Sequence, residues 1–466
     1  MKKRFFGTDG IRGKYGEEPL NHATIRKIAF VIAKYFADTP GYVLVGKDTR
    51  ASGKEILNDL KIGLELGGKK LKVLNGDLAI TSPATALLVR EDTDACAGIM
   101  ITASHNPASD NGLKVLGADG DKLNDDIELE LEKMLETLSS EDIKELADAE
   151  GDTPEEQMLG CEHEYASLLK KALVEDFGFN IDEDKNRTSL PIALDSAAGA
   201  GFKFTPWVVD EFGLETREIG KTPDGENIND GCGVLYPDKL IKEVSEGDYT
   251  FGLALDGDAD RVKLVDETGR LWDGDRIIAL LAIWLKEREK LLNDTVVMTE
   301  YSNLSAVNYL LDQGIKVEKV VVGDKEVLLK EKELGAVLGG EKAGHIIYRP
   351  WLSSSDGTFM AVWVAEILRE KGYKLSELWP NYDEYPSEQF TVYVKEKKDL
   401  SEIVGFEEAK KEADDELGDK GRVFVRYSGT ENKMRILVES DDMAKVKKIG
   451  EKLSNIVKEQ IGVENE

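Results

Sequence analysis

The sequence predicts an α/β protein with three tandem α/β domains of related topology, followed by a smaller C-terminal α+β domain. The order strand, helix, strand recurs three times, each time within about 30 residues, which is typical of right-handed βαβ units. The last part of the chain instead predicts strand, helix, strand, strand, helix. A chain of 466 residues is also too long for one hydrophobic core, so several domains are expected.

The three repeats lie at residues 41–76, 190–220 and 295–323. In the first repeat, the apolar run from residue 41 predicts a strand, and residues 52–66 predict an amphipathic helix that ends before a glycine pair and a second strand. Gly213 and Gly314 end the helices of the other two repeats. Each repeat is therefore expected to form the centre of one α/β domain.

Charged and turn residues concentrate between the repeats and indicate the domain limits. The acidic stretch 139–157 predicts a solvated helix plus a linker, and a second stretch of this kind lies at residues 243–255. The character of the sequence changes again after residues 366–380. We therefore expect domains at residues 1–155, 156–251, 252–372 and 373–466.

The charge balance excludes several classes of partner. The chain has 61 basic and 91 acidic residues, a net charge of −30, whereas nucleic acids and anionic membranes need a basic surface. No apolar run is long enough to span a bilayer, and no apolar segment follows the basic N-terminus as in a secretory signal. A cytoplasmic protein is expected. The sequence allows a homodimer, but no feature of it locates an interface.

The three cysteines, Cys96, Cys161 and Cys232, are too few and too scattered for a disulfide framework or a cysteine metal site. We expect all three to be buried.

An anionic ligand would have to be captured by local cations and backbone N–H groups, because the overall charge of the protein repels it.

The first candidate site follows the apolar run 96–102, which predicts a buried strand. Ser104 and His105 stand side by side in the polar loop directly after it. In α/β proteins, ligands bind beyond the carboxyl ends of the strands. A serine hydrolase is disfavoured, because Ser104 lies in no G-x-S-x-G turn and its neighbour His105 is poorly placed as its base.

The second candidate site is a tight turn between two apolar strands, where Asp256, Asp258 and Asp260 alternate. Three converging carboxylates suit a hard divalent cation such as Mg²⁺. An EF-hand calcium loop is the chief alternative, since Glu267 occupies its twelfth position. However, Arg261 stands where that loop needs glycine, and the flanks predict strands. A surface acidic turn without a ligand is the other alternative.

Two further loops carry polar residues among glycines. In residues 339–346, glycines surround Glu341, Lys342 and His345, an arrangement that lets a hydroxylated ligand approach closely, although a lone histidine is more often structural. In residues 426–433, the side chains and turn that suit a phosphate are those of Arg426, Ser428, Gly429 and Thr430. A plain hairpin turn is the alternative there. Arg12 and Arg50 add cations at other strand ends.

Five motifs together resemble the α-D-phosphohexomutase family, in order and over essentially the full length: FGTDGIRG at 6–13, TASHNP at 102–107, DGDADR at 256–261, GGEKAGH at 339–345 and RYSGTEN at 426–432. Residues 223–238, with the run NINDGCG, are similar to the branch of that family that acts on glucosamine phosphate. The resemblance implies four domains around a central cleft that holds the active site.

The resemblance also implies a reaction. Glucosamine 6-phosphate and glucosamine 1-phosphate would be interconverted through a phosphoserine at Ser104 and a 1,6-bisphosphate intermediate. One Mg²⁺ per chain would be held by Ser104 through its phosphate and by Asp256, Asp258 and Asp260. Glucosamine 1,6-bisphosphate, or a related sugar bisphosphate, would act as the activator. The small-molecule partner is therefore a phosphosugar.

The remaining roles are also those that the resemblance implies. His105, Lys114 and Arg12 are the candidates for the catalytic base, and Arg261 is expected to help neutralise charge on the transferred group. The sugar and its second phosphate would be held by the two glycine-containing loops, through Glu341, Lys342, His345, Arg426, Ser428, Gly429 and Thr430.

Three positions depart from the family pattern. Ala343 replaces the serine of the usual Glu-x-Ser-Gly-His sequence, and Lys342 is the residue that could supply the missing hydrogen bond. Tyr427 and Asn432 stand where proline is common in the phosphate loop. The alternative function is therefore a phosphomannomutase or phosphoglucomutase activity, and the alternative of another class is a non-catalytic sugar-phosphate or calcium-binding protein.

Overall fold

The structure is a computed structural model that describes residues 3–7, 9–150, 156–181, 188–220, 222–428 and 431–463. It divides into two compact units, Met1–Ile278 with Gly323–Trp379, and Ala279–Val322 with Pro380–Glu466. The α/β architecture agrees with the predicted fold class. Among the described residues, every helix is too short or too polar to cross a membrane.

The described strands are, in chain order, β1 Ile11–Lys14, β2 Tyr42–Lys47, β3 Leu71–Leu74, β4 Ala95–Ile101, β5 Asp110–Gly117, β6 Glu156–Met158, β7 Leu190–Asp195, β8 Leu214–Glu218, β9 Phe251–Leu255, β10 Val262–Asp266, β11 Leu271–Trp272, β12 Thr295–Thr299, β13 Lys316–Val320, β14 Leu338–Gly340, β15 Ile346–Tyr348, β16 Ser387–Tyr393, β17 Gly421–Tyr427 and β18 Lys433–Ser440.

The described α-helices are α1 His22–Tyr35, α2 Gly53–Leu66, α3 Ser82–Glu91, α4 Asp125–Glu136, α5 Ser140–Asp148, α6 Cys161–Phe177, α7 Gly201–Asp210, α8 Asp238–Glu246, α9 Gly274–Glu287, α10 Leu304–Asp312, α11 Asp324–Leu334, α12 Gly357–Lys371, α13 Phe406–Leu417 and α14 Met443–Ile461.

The first sheet of the larger unit has the strand order β1-β5-β4-β2-β3-β6. The predicted unit β2-α2-β3 is present, with its two strands parallel, and β4 pairs in parallel on the other side of β2. Every residue of β4 is buried, as its continuous apolar sequence predicts. The carboxyl end of β4 therefore opens directly into the loop that carries Ser104.

The acidic stretch 139–157 contains the predicted exposed helix, α5, and residues 151–155 lie outside the described part. Strand β6 follows and pairs in parallel with β3, Lys72 opposite Glu156. The chain therefore adds a strand to the first sheet beyond the expected limit at residue 155. Its three residues, Glu-Gln-Met, are too few and too polar to show a strand periodicity.

The second sheet of this unit has the order β11-β10-β9-β7-β8. Strands β7 and β8 form the predicted parallel pair, and β9 lies parallel to β7 on its other side. The expected limit between residues 251 and 252 thus falls inside β9, and the sheet continues to Trp272. The aspartate turn between β9 and β10 therefore belongs to the second sheet rather than to the start of a third domain.

An aromatic cluster holds helices α6 and α12 together within the larger unit. The rings of Phe177 and Trp363 stack with centroids 4.4 Å apart, and Tyr348 lies against both of them. Such contacts contribute on the order of 1 kcal/mol each beyond the burial of their area. Strand β15, which ends at Tyr348, is anchored in this way, and with it the loop that precedes β15.

The smaller unit contains the third predicted repeat, because β12 and β13 are parallel and α10 connects them. Its C-terminal part is an antiparallel sheet, β16-β18-β17, with α13 and α14. This is the predicted strand, helix, strand, strand, helix. Its core is formed by buried apolar residues of both helices and all three strands, including Val392, Phe406, Val423, Ile436 and Leu453.

Candidate active site

Ser104 lies three residues beyond the end of β4 and is only 2% exposed. Its backbone has φ 49°, a left-handed conformation that is rare for a residue with a side chain. Strain of this kind persists only where surrounding contacts impose it. The Ser104 hydroxyl donates to Asp256 Oδ2 at 2.8 Å, and its oxygen lies 3.3 Å from His105 Nδ1.

Arg50 imposes the conformation of this loop. Its Nε donates to Asp48, and its two terminal nitrogens donate to four carbonyl oxygens of the loop, those of Ser104, Asn106, Pro107 and Asp110. All five N–H groups of the guanidinium are thereby used within the protein. The side chain is fully buried. Arg50, which the sequence offers as a cation at a strand end, therefore holds the loop and has no donor left for a ligand.

Asn229 holds the same loop from the second sheet. Its side-chain amide donates to the carbonyl oxygens of Ser104 at 2.9 Å and of Asn106 at 3.1 Å. Gly257 allows the two loops to approach, because a Cβ at that position would lie 2.5 Å from the Ser104 carbonyl oxygen. The backbone of the aspartate turn and the backbone of the Ser104 loop are therefore in direct contact.

The three aspartates lie together in the turn between β9 and β10. Asp256, Asp258 and Asp260 are each at most 5% exposed, and one carboxylate oxygen of each lies within 4.8 Å of the others. Burial and the charges of its two neighbours raise the pKa of Asp256 well above its ordinary value. Burial alone would also raise the pKa of Asp260, but Lys114 and His345 hold it well below that value.

This cluster meets the requirements of a hard divalent cation. All of its donors are carboxylate oxygens, and Asp258 Oδ1 is buried without a hydrogen-bond partner. An EF-hand loop is excluded, because the turn joins two antiparallel strands and Glu267 accepts from the backbone N–H of Ser376 at 3.2 Å. The cluster is also too deeply buried to be a surface acidic turn.

Lys114, on β5, faces the aspartates from the first sheet. Its Nζ donates to Asp258 at 2.8 Å and to Asp260 at 3.0 Å, and lies 3.5 Å from Asp9. Burial would lower the pKa of Lys114, but these carboxylates raise it well above its ordinary value. The ammonium group is thus held charged beside the cluster. Arg12, on β1, forms an ion pair with Asp9 and has a buried Nε without a partner.

The electrostatic environment of His105 differs from that of Lys114, because cations rather than carboxylates dominate it. Burial, together with the charges of Arg261 and Arg12, lowers the pKa of its imidazole to about 4. The ring next to the Ser104 hydroxyl is therefore neutral near pH 7. A neutral imidazole at this distance can accept or return the proton of the hydroxyl.

The loop 339–346 is joined to the aspartate turn through backbone contacts. Arg261 and His345 form an antiparallel bridge, and the N–H of Val262 donates to the Gly344 carbonyl at 3.0 Å. His345 is buried, with Nδ1 3.7 Å from Asp260 and Nε2 3.8 Å from Asp324. Burial would lower the pKa of His345, but these two carboxylates raise it.

Within this loop, Glu341 is 9% exposed and accepts from the backbone N–H of Gly323 at 3.1 Å. Lys342 Nζ lies 3.8 Å from Asp273 Oδ2. Ala343 is exposed at the tip of the loop, so that a side chain at this position faces outward. Glu341, Lys342 and His345 thus lie in one loop, and the backbone of that loop is hydrogen-bonded to the end of the aspartate turn.

Arg426 and Ser428 belong to the smaller unit, at the end of β17. Arg426 Nε donates to the hydroxyl of Tyr301 at 3.3 Å, and its guanidinium lies over that ring. The Ser428 carbonyl accepts from Lys397 Nζ at 2.6 Å. Gly429 and Thr430 lie outside the described residues.

Sequence reasoning missed the residues that support the site. Ser82 donates to Asp258 Oδ2 at 2.5 Å, and Lys122 pairs with both Asp9 and Asp324. Asn229 lies in the run NINDGCG, which served only as a family signature. No local pattern marks such residues, because their partners lie far along the chain. All three cysteines are buried, as predicted.

Comparison with known proteins places this geometry in a family. Four regions match the domains of phosphoglucomutase/phosphomannomutase: residues 3–142 match alpha/beta/alpha domain I, 164–269 domain II, 273–385 domain III and 391–456 the C-terminal domain. Among solved structures, a phosphoglucomutase/phosphomannomutase family protein from Burkholderia thailandensis superposes with a TM-score of 0.77 at 20% identity, covering 99% of this chain and 100% of that one.

Another solved structure is the Aspergillus fumigatus N-acetylphosphoglucosamine mutase in complex with GlcNAc-6P and magnesium, with a TM-score of 0.61 at 19% identity, covering 98% of this chain and 96% of that one. Two curated relatives are more similar in sequence, and both are described as phosphoglucosamine mutase. The one from Bdellovibrio bacteriovorus is 35% identical over 99% of both chains, and the one from Thermodesulfovibrio yellowstonii is 38% identical over 97% of this chain and 98% of the relative. The chain belongs to the α-D-phosphohexomutase family and, within it, to the phosphoglucosamine mutase branch.

Proposed function

We propose that this chain interconverts glucosamine 6-phosphate and glucosamine 1-phosphate, with Ser104 carrying the phosphoryl group between the two positions of the sugar. The contact between the Ser104 hydroxyl and Asp256 Oδ2, at 2.8 Å, is the observation that supports this most directly. The Ser104 hydroxyl thus lies at the edge of a buried carboxylate cluster, where it would serve as the nucleophile. The relatives described as phosphoglucosamine mutase support the choice of sugar.

Asp256, Asp258 and Asp260, with a phosphate on Ser104, would hold one Mg²⁺. The oxygen donors and the unpartnered Asp258 Oδ1 support this assignment, as does the magnesium complex of the Aspergillus relative. When bound, the cation neutralises charge on the phosphoryl oxygens and orients them.

The transfer exchanges one P–O bond for another. The bond between phosphorus and Ser104 Oγ breaks, a bond to O1 of glucosamine 6-phosphate forms, and the proton that leaves O1 is balanced by the proton gained at Ser104 Oγ. We assign His105 as the proton relay, because its Nδ1 lies 3.3 Å from Oγ: the neutral ring accepts the proton that leaves O1 and returns it to Oγ. In the second half of the reaction His105 takes the proton from Oγ as Oγ bonds to the 6-phosphoryl group of the bisphosphate, and passes it to O6 as the bond between phosphorus and O6 breaks.

The cations of the site would stabilise the charge of the transferred group. Lys114 is held charged by Asp258 and Asp260, and we assign it, with Arg12 and Arg261, to the phosphoryl oxygens. Lys114 and Arg12 are less suited than His105 to act as the base on the serine, since their nitrogens are engaged with carboxylates.

Substrate binding is assigned to the two glycine-containing loops. Glu341, Lys342 and His345 would hold the sugar hydroxyls. The non-reacting phosphate would be held by the loop that contains Arg426, Ser428, Gly429 and Thr430. The 1,6-bisphosphate must turn around before the second transfer, so a sugar bisphosphate such as glucosamine 1,6-bisphosphate would also serve as activator.

Ala343 favours one alternative, a phosphoglucomutase or phosphomannomutase activity, since it removes a hydroxyl from the sugar loop. A side-by-side turnover assay on glucosamine, glucose and mannose 6-phosphates decides between them. It uses phosphorylated protein, Mg²⁺ and a catalytic amount of bisphosphate. We expect a preference of at least tenfold for the glucosamine substrate, about 1.4 kcal/mol of transition-state discrimination. Equal or better turnover of glucose or mannose phosphate would contradict the proposal.

A further inference from the structure

A cavity lies in the larger unit, beside the candidate active site but without any of its reacting groups. Its volume is about 410 Å³, within the range of small-molecule sites. Its walls come from the ends of β2 and β3, from the first turns of α2 and α7, and from residues 222–223. Ligands of α/β proteins bind at such carboxyl ends of parallel strands.

The cavity is positively charged within a strongly acidic protein. Lys47, Lys54 and Lys203 line it, against one exposed carboxylate, that of Asp77. Asp48 and Arg50 also contribute to the wall, but they form a buried ion pair and cancel each other. The lining therefore carries two more positive than negative charges, whereas the whole chain carries a net charge of −30.

Two of these lysines are available to a ligand. Lys54 and Lys203 are exposed, and neither forms an ion pair with a described residue. They stand in the first turns of α2 and α7, and neither helix has a side-chain hydrogen bond at its N-cap residue. The N–H groups of Gly53 and Phe202 already donate to the carbonyls of Arg50 and Gly199, so the two lysine side chains are the groups that offer positive charge to a ligand in the cavity.

The remainder of the wall is apolar. Leu57, Leu78 and Phe202 line the cavity together with the cations. Phosphate alone would leave this surface without a partner, whereas a phosphorylated molecule with a flat apolar part would cover it. A nucleoside diphosphate combines both properties, because its charge matches the excess of lysines and its base can lie against the aromatic ring.

We propose that this cavity, lined by Lys54, Lys203 and Phe202, is a regulatory binding site for a nucleoside diphosphate. The proposal goes beyond the proposed function and does not depend on it. Its walls are the segments that hold the two loops of the candidate active site. Arg50 binds the Ser104 loop, and the N–H of Ala200 donates to the Gly257 carbonyl in the aspartate turn at 2.8 Å. A ligand there contacts the supports of both loops at once.

Calorimetric titration of the full chain with ADP, in the absence of sugar phosphate, tests the proposal. The variant K54Q/K203Q removes two charges from the wall, and K171Q/K242Q removes two exposed lysines elsewhere as the matched control. We expect ADP to bind at least about tenfold more weakly to the first variant, about 1.4 kcal/mol, and unchanged to the second. Turnover without ADP should be unchanged in both, because these residues do not contact Ser104 or the aspartates.

The proposal is overturned if ADP does not bind to the parent protein, if both variants lose binding equally, or if glucosamine 6-phosphate displaces ADP. The last would place the nucleotide in the substrate site. Pyrophosphate that binds as tightly as ADP would overturn the nucleoside assignment, since the apolar wall would then contribute nothing. Melting temperatures of the variants check that they fold, and slower amide hydrogen exchange at residues 47–54 and 199–203 with ADP would support the location.

Discussion

Ser82 donates its hydroxyl to Asp258 Oδ2 at 2.5 Å, and its backbone N–H donates to the Asp258 carbonyl at 3.0 Å. Ser82 is the first residue of α3, whose N-cap Thr81 accepts from the N–H of Ala84. The first turn of this ten-residue helix is thus bonded to both the backbone and the carboxylate of Asp258. A helix that follows β3 of the first sheet therefore fixes a carboxylate in the turn of the second sheet.

Removal of the Ser82 hydroxyl should weaken metal binding. In Ser82→Ala, Asp258 loses a partner that fixes its orientation, and such supporting residues typically change metal affinity by about 10- to 100-fold. The affinity for Mg²⁺ can be measured directly by calorimetry, independently of turnover. Ser109→Ala, an exposed serine in the loop after Ser104, is the control. An unchanged magnesium affinity in Ser82→Ala would argue against this support.

Ser104→Ala should abolish turnover and leave the fold intact. The substitution removes the oxygen that would carry the phosphoryl group, but keeps the Cβ and therefore the steric demands of the left-handed backbone. Turnover and circular dichroism are measured on the same preparation. Incorporation of phosphate from a labelled sugar bisphosphate should be lost as well, whereas Ser109→Ala should behave like the parent. Undiminished activity would refute the assignment of Ser104.

Gly257→Ala should lower turnover strongly and the melting temperature only slightly. The added Cβ would lie 2.5 Å from the Ser104 carbonyl oxygen and 2.9 Å from Asn229 Nδ2, so the two loops must separate. A displacement of about 1 Å can lower the rate by about 100-fold. In Gly53→Ala the added Cβ meets only the Lys47 side chain, at 3.7 Å. If both variants keep full activity, the close approach of the loops does not matter for turnover.

Stability should fall with rising pH because of Glu218. Burial raises the pKa of Glu218 to about 7, although the N–H groups of Ser196 and Gly220 donate to its Oε1. The folded state therefore binds a proton that the unfolded chain, with a carboxyl pKa of about 4.3, has already lost. The contribution of Glu218 to the free energy of unfolding is largest below about pH 4 and is lost as the pH rises to 7, a change of about 4 kcal/mol.

Glu218→Gln tests this dependence, because the amide keeps the acceptor oxygen and does not titrate. The melting temperature of the parent, relative to that of the variant, should be lower at pH 8 than at pH 5. Glu215→Gln, at an exposed position on the same strand β8, should show no such difference. A constant offset between parent and Glu218→Gln across this pH range would contradict the prediction.

Much of the fold follows from local patterns. The three βαβ repeats, the C-terminal α+β arrangement and the buried β4 are visible in the sequence, because the periodicity of apolar residues reports directly which face of an element is buried. Domain limits are harder to predict. Strand β6 pairs with β3 from Lys72 onward, and β9 pairs with Ile192–Asp195 of β7. These partners lie about 60 to 80 residues away along the chain, so local sequence does not indicate the pairing.

The sequence by itself determined which chemistry the protein carries: a serine in a loop after a buried strand, three alternating carboxylates, and glycine-containing loops with polar side chains. These are local patterns, and residue type and spacing suffice to identify them. Only the tertiary structure decided how these groups are used. It brings Ser104 to Asp256, commits both terminal nitrogens of Arg50 to the Ser104 loop, and adds Ser82 and Asn229 as supports. Such contacts join residues that are far apart along the chain, so no periodic pattern in the sequence indicates their hydrogen bonds.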